Sequence, residues 1–272
     1  RWYRPLFRGV YVPKNATPTL HDRALGAWLT TGRNGTIAGV AASALHGAEW
    51  VDDDEPIEVL VGERRRQAGL VVRMDRIAAD EVTTIAGLPV TNSARTAFDM
   101  GRYLRRSAAM ARLDALKRST GFSSGNVERL IRRYGPVRGV RQLRELLPLV
   151  DAGAESPKES WLRLLLVDAG LPIPQTQIPV VDDGVAVAFI DMGWEKLKLG
   201  IEYDGDQHRT DRRQYVRDLR RLPMLQSMDW EVIRVIAEDR PAAVVARVRE
   251  AFARRGGAEI DEMPRFTRNF AA

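Results

Sequence analysis

A chain of 272 residues with 44% hydrophobic content is long enough to build two cored domains, and a net charge of +6 with a pI near 9.9 favours polyanionic partners. The absence of cysteine excludes disulfides and thiolate metal sites and is compatible with a reducing cytoplasm. No apolar run approaches the roughly 20 residues that cross a bilayer, and no signal-peptide pattern opens the chain, so no membrane partner is expected. Only five of the 42 basic residues are lysines (Lys14, Lys117, Lys158, Lys196, Lys198). Arginine forks suit phosphate, yet a GC-rich genome accounts better for the skew.

RWYRPLFRGVYVP is a basic, aromatic stretch that predicts a strand and turn, followed by a helix around His21 to Thr30. AGVAASALHG predicts a small-residue helix. PIEVLVG and GLVVRM predict strands on either side of an arginine cluster at Arg64 to Arg66, and AGLPVTNSARTAFDMG comes next. His46 closes the small-residue helix beside Gly47, a position where histidine is more often structural than functional. Arg95 and Asp99 stand four apart, the spacing of a helix-stabilising pair. This order resembles the AbiEi-type antitoxin and transcriptional-regulator family in RGVYVP, AASALHG and LPVTNSARTAFDM, over residues 5 to 105. Those motifs are structural signatures and imply no catalysis. Members of that family commonly carry a winged-helix DNA-binding unit ahead of the RGVYVP-like segment, and whether one precedes Arg1 stays open.

From Tyr103 to Leu149 arginines alternate with aliphatic residues, with breaks at Ser119 to Gly125 and Tyr134 to Gly139, which predicts two or three short helices. DAGAESP, residues 151–157, is small, acidic and turn-prone, and marks a boundary. The expected organisation is an α+β domain over 1–105, a helical connector over 106–150 and an α/β domain over 151–272. Ser156, Pro157 and Glu159 fit a helix start, with Ser as cap, Pro at the first helical position and Glu reaching back to the cap's amide.

VAVAFID is apolar until Asp191, Gly193 with Trp194 is the expected turn, and LKLGIEYD alternates. Leu197, Leu199, Ile201 and Tyr203 share one strand face, while Lys198, Gly200, Glu202 and Asp204 share the other. The turn would bring Asp191 beside Glu202. Converging carboxylates repel one another unless a proton or a divalent cation resolves the conflict, and all-oxygen ligation suits Mg2+ or Mn2+. The plainer alternative is that these acids cap a hairpin. His208 follows, with a pKa range suited to proton transfer. DRRQYVRDLRRL then sets Tyr215, Leu219 and Leu222 at helical spacing, leaving Arg213, Arg217, Arg220 and Arg221 on or near the solvated side. That helix either faces DNA or is an ordinary charged surface, and Pro223 should end or kink it.

Asp191 followed after ten residues by Glu202-X-Asp204 resembles the PD-(D/E)XK nucleases, with Asp204 standing where the family has lysine. IEYDGDQH, DLRRLPMLQSMDWEVIRV and ESPKESWLRLLLVDAGLP are similar to the very-short-patch-repair (Vsr-like) branch, over roughly residues 155 to 255. The resemblance implies a restriction-endonuclease-like α/β fold, a mixed sheet flanked by helices. It implies Asp191 and Glu202, with Glu159 through water, as ligands of Mg2+ or Mn2+, and His208 or Lys198 as the group handling protons or charge. Arg213, Arg217, Arg220 and Arg221 would grip the DNA backbone. The leading expectation is thus a metal-dependent DNA endonuclease or nickase, in repair or defence, without a small-molecule cofactor and acting as a homodimer if both strands are cut. The lost lysine favours the alternative, a DNA-binding regulator or antitoxin on a degenerate, non-catalytic nuclease fold, with a toxin as partner.

Overall fold

The computed structural model describes residues 2–62, 67–205 and 221–257. The chain divides into two compact units, residues 1–152 and 153–272. Among the described residues no helix is long and apolar enough to cross a membrane.

Unit 1 opens with an antiparallel ribbon, β1 (Tyr3–Phe7) and β2 (Val10–Pro13). Helix α1 (Leu20–Thr30) starts at Thr19, where the Thr19 hydroxyl and the Asp22 carboxylate satisfy each other's backbone amides in a capping box. β3 (Thr36–Ala38) leads into α2 (Gly39–Leu45), whose Ala41 and Ala42 are buried because only small side chains let the helix approach the sheet. β4 (Ile57–Leu60), β5 (Leu70–Arg73), β6 (Val82–Ile85) and β7 (Leu88–Thr91) complete a mixed five-stranded sheet of order β5-β4-β3-β7-β6. Phe7, Leu20, Ala24, Ile37, Ile57, Val59, Leu88 and Val90 form its core.

The following helices are α3 (Ser93–Tyr103), α4 (Arg106–Thr120), α5 (Ser124–Tyr134) and α6 (Val140–Leu146). α4, α5 and α6 all pack on α3, so the residues expected to bridge two halves belong to unit 1. Their apolar positions explain this: Ala109, Met110, Leu113, Val127, Ile131, Leu143 and Leu146 are buried, which a free-standing connector would leave in water. Gly101 permits a close approach of α6 to α3, since a Cβ there would lie 2.4 Å from Leu143 Cδ1. His46 is structural, with Nε2 2.8 Å from the Thr91 carbonyl oxygen.

Unit 2 is a four-stranded mixed sheet of order β11-β10-β9-β8, built from β8 (Gln175–Asp182), β9 (Val185–Trp194), β10 (Leu199–Asp204) and β11 (Glu231–Ile236). β10 and β11 are parallel and the other pairs antiparallel. Helices α7 (Pro157–Asp168) and α9 (Pro241–Arg254) share one core with the sheet, through Leu162, Leu166, Met192, Leu199, Ile201, Val235, Val244, Val248 and Phe252. A second core holds Ile178, Val180, Ala188, Ile190, Leu225 and Trp230, with Leu225 supplied by a helical segment over residues 221–227, α8. An α/β fold with a mixed sheet flanked by helices is therefore observed.

Two local expectations are corrected. β9 runs through Gly193 and Trp194, and the turn to β10 is a single 3-10 turn over Glu195–Leu197 closed by Lys198 in the left-handed region at φ 49°. Gly193 instead lies opposite Gly200, where a Cβ would sit 2.1 Å from the Leu199 carbonyl oxygen; the glycine serves close strand pairing rather than reversal. Pro223 does not end the helical segment it lies in, which is described from residue 221 and runs on to residue 227.

Candidate functional site

Three elements of unit 2 bring acids together. Glu159 lies in the first turn of α7, Asp191 near the end of β9, and Glu202 within β10. Ser156 caps α7 by accepting from the Glu159 amide (3.2 Å), and the Glu159 carboxylate accepts from the Ser156 hydroxyl (2.8 Å) and from the Glu155 amide (2.9 Å). The reach back is thus to the amide before the cap, and both Glu159 oxygens are engaged in it. The β9–β10 ladder runs in register as far as Ile201 opposite Met192. Beyond that point the Asp191 side chain takes over, accepting the Tyr203 backbone N–H at 3.0 Å.

Glu202 is only 7% exposed, and its carboxylate is held by a guanidinium. Arg221 of α8 donates through Nη1 to Oε2 at 2.9 Å and through Nη2 to Oε1, and the same Nη2 donates to the Phe189 carbonyl at 2.5 Å. A paired fork of this kind is the strong geometry for arginine and carboxylate. Arg234 stands beside Glu202 in the parallel β10–β11 register, 4.0 Å from its Oε2 and 3.7 Å from Asp204 Oδ2. Asp191 carries the unresolved charge. Burial and the neighbouring Glu159 push its pKa up to about 7, Glu202 adds to the rise, and the Tyr203 amide and Arg221 only partly offset it.

The expected site residues therefore separate. Glu159, Asp191 and Glu202 come together; Asp204 sits at the end of β10 facing Arg234. Lys198 precedes β10 at its other end and donates to the Met228 carbonyl at 2.8 Å, so the strand alternation that grouped it with Glu202 does not extend to it. Arg221, expected near the solvated side, is turned inward onto Glu202 because a buried carboxylate without a counter-ion is costly. His208, Arg213, Arg217 and Arg220, like Arg64 to Arg66, lie outside the described residues. Neither Arg221 nor Arg234 was singled out as a carboxylate partner from the sequence; the signal for Arg234 is its place in WEVIRV, where alternation sets it on the face opposite Val235.

Among the described residues the donor set does not fit a divalent cation. Glu159 is engaged in the helix cap, Glu202 in the arginine fork, and among the described residues no group of three His, Asp or Glu could hold a metal.

Unit 1 contains a second, denser charge network. Arg95, 1% exposed, donates to Asp99 at 2.8 Å, to Glu81, to the Arg76 carbonyl at 2.8 Å and to the Tyr134 hydroxyl at 3.2 Å. Arg102 donates to Asp99 at 2.8 Å, and Arg133 donates to Glu81 at 2.7 Å. The expected Arg95–Asp99 pair thus exists as part of a larger cluster. Burial works against the charge on Arg95, and Asp99 and Glu81 more than offset it, so its pKa is raised.

Residues 37–149 match the family model of the AbiEi antitoxin C-terminal domain. That span begins in β3 and ends with the last turn after α6, so it covers the five-stranded sheet and the helices around α3. Two curated relatives, both uncharacterized proteins of Mycobacterium tuberculosis, from strains CDC 1551 and H37Rv, are each 31% identical over 252 residues, covering 91% of this chain and 89% of their own length. No solved structure matches. The chain belongs to one family with these mycobacterial proteins, and its first unit carries the region similar to the AbiEi antitoxin C-terminal domain.

Proposed function

We propose that the protein is a regulator of the antitoxin class, which binds DNA and a toxin partner and uses unit 2 as a non-catalytic platform. The observation that carries this reading is the match of residues 37–149 to the AbiEi antitoxin C-terminal domain, because it spans nearly all the sheet and helices of unit 1. The formal charge of +6 supports a polyanionic partner, whose binding would weaken with salt. The arginine fork on Glu202 supports a non-catalytic unit 2, since it occupies the acid that a nuclease would commit to metal. The endonuclease expectation draws no support from the comparisons.

The test is co-expression with the product of the neighbouring gene. The reading predicts that this product arrests growth alone, that the full chain restores growth, and that the two co-purify. An arrest that the full chain does not relieve, with no complex recovered, would remove the antitoxin assignment.

A further inference from the structure

We propose that Arg221 is the resident cation of the carboxylate cluster in unit 2, standing where a divalent metal would otherwise be required, so that this unit folds and acts without a metal ion. Glu202 is an acid buried on β10, where the strand pairs with β11 and has just passed the end of its ladder with β9. A carboxylate so placed needs a counter-charge, and breaking a buried pair is far more costly than never having built it. Arg221 supplies the charge in bidentate form and is fixed by a third contact, to the Phe189 carbonyl in β9. The guanidinium therefore clamps β9 and β10 together on the face that α8 covers. A metal ion entering here would have to displace it, leaving a permanent cation against a carbonyl.

Guanidinium chemistry suits the position. It stays charged at every physiological pH, whereas desolvation would pull down the pKa of a lysine or histidine in the same place. Arg234 adds a second fixed cation beside Glu202 and Asp204. Of the remaining acids nearby, Glu159 is engaged in the cap of α7 and Asp191 accepts the Tyr203 backbone amide. The cluster thus has the acids of a metal centre and the counter-ions of an ion-pair network.

The inference shares with the proposed function the non-catalytic reading of unit 2 but is independent of toxin and DNA binding, so failure of the co-expression test would leave it standing. Its test uses the full chain, with Mn2+ as the probe. The electron paramagnetic resonance signal of free Mn2+ should be undiminished by added protein, and EDTA, Mg2+ and Mn2+ should leave the melting temperature unchanged. Arg221→Gln should lower that temperature by roughly 5–10 °C, and Arg221→Gln combined with Glu202→Gln should recover most of the loss, because the buried charge is removed with its partner. Saturable Mn2+ binding by the wild-type chain that disappears in Asp191→Asn would overturn the proposal. So would an Arg221→Gln protein as stable as wild type. If Arg221→Gln fails to fold, the wild-type Mn2+ titration still decides.

Discussion

In unit 1 the buried carboxylates of Glu81 and Asp99 meet guanidiniums from Arg95, Arg102 and Arg133, whereas in unit 2 Glu159, Asp191 and Glu202 gather around Arg221 and Arg234, both of which are engaged with Glu202 or Asp204. Similar residues thus reach opposite local outcomes. Unit 1 is charge-matched and further braced by neutral donors: the Tyr134 hydroxyl donates to Glu81 at 2.6 Å and its ring packs against Phe98 at 5.6 Å. In unit 2 the deficit falls on Asp191, whose hydrogen-bond donor among the described residues is a backbone amide and whose pKa climbs to about 7 under burial and the charge of Glu159. Buried acids therefore do not by themselves mark a metal centre; the count and aim of the neighbouring cations decide what they are for.

The largest effect expected from this contrast is at Arg95. Arg95→Ala strands Glu81 and Asp99 in the interior, and chemical denaturation of the full chain should show a loss of about 3–5 kcal/mol. A loss no greater than that of a surface arginine would break the claim that unit 1 depends on charge matching. Asp191→Asn should act in the opposite direction. The folded-state pKa of Asp191 lies above its ordinary 3.8, so the folded protein holds a proton that the unfolded chain releases, and stability falls as pH rises from about 4 to about 7. The asparagine variant escapes that fall. It should match wild type near pH 4 and exceed it above pH 7 by roughly 2–4 kcal/mol, at about 1.4 kcal/mol per pKa unit. Equal pH profiles for the two proteins would show that Asp191 carries no excess charge.

Tyr134→Phe sharpens the picture of unit 1 with a smaller change. Removing the hydroxyl between Glu81 and Arg95 should cost about 1–1.5 kcal/mol. Ultraviolet titration of the wild type should find one tyrosine pushed up to about 12, as burial and the bond to Glu81 require. The smallest effect belongs to Arg141, 85% exposed and 3.3 Å from Glu145. Arg141→Ala should stay within about 0.5 kcal/mol of wild type, as exposed pairs do.

Much of the local architecture was legible because it rests on short-range chemistry. The α7 start at Ser156 and Pro157, the paired Arg95 and Asp99, the alternating face of Leu199, Ile201 and Tyr203, and the convergence of Asp191 with Glu202 all depend on spacings within about a dozen residues. What escaped depends on partners far along the chain. Arg221 reads as one more arginine on a charged helix until Glu202, 19 residues earlier, is folded beneath it. Lys198 looks like part of the chemical face until the left-handed turn at its own position takes it out of the strand. The helices after Tyr103 read as a bridge because the main partner of their buried faces, α3, cannot be seen in their own spacing. The family resemblance in LPVTNSARTAFDM was legible for a similar reason, since the motif packs the start and body of α3 into one contiguous stretch.

The most direct test of the account is a single gel-shift and cleavage experiment with the full chain and supercoiled plasmid, run in EDTA and then in Mg2+ or Mn2+, beside Asp191→Ala. The account predicts salt-sensitive DNA binding in EDTA and no nicked or linear product with either metal, for wild type and variant alike. Metal-dependent nicking by the wild type that vanishes in Asp191→Ala would contradict it and restore unit 2 as a nuclease.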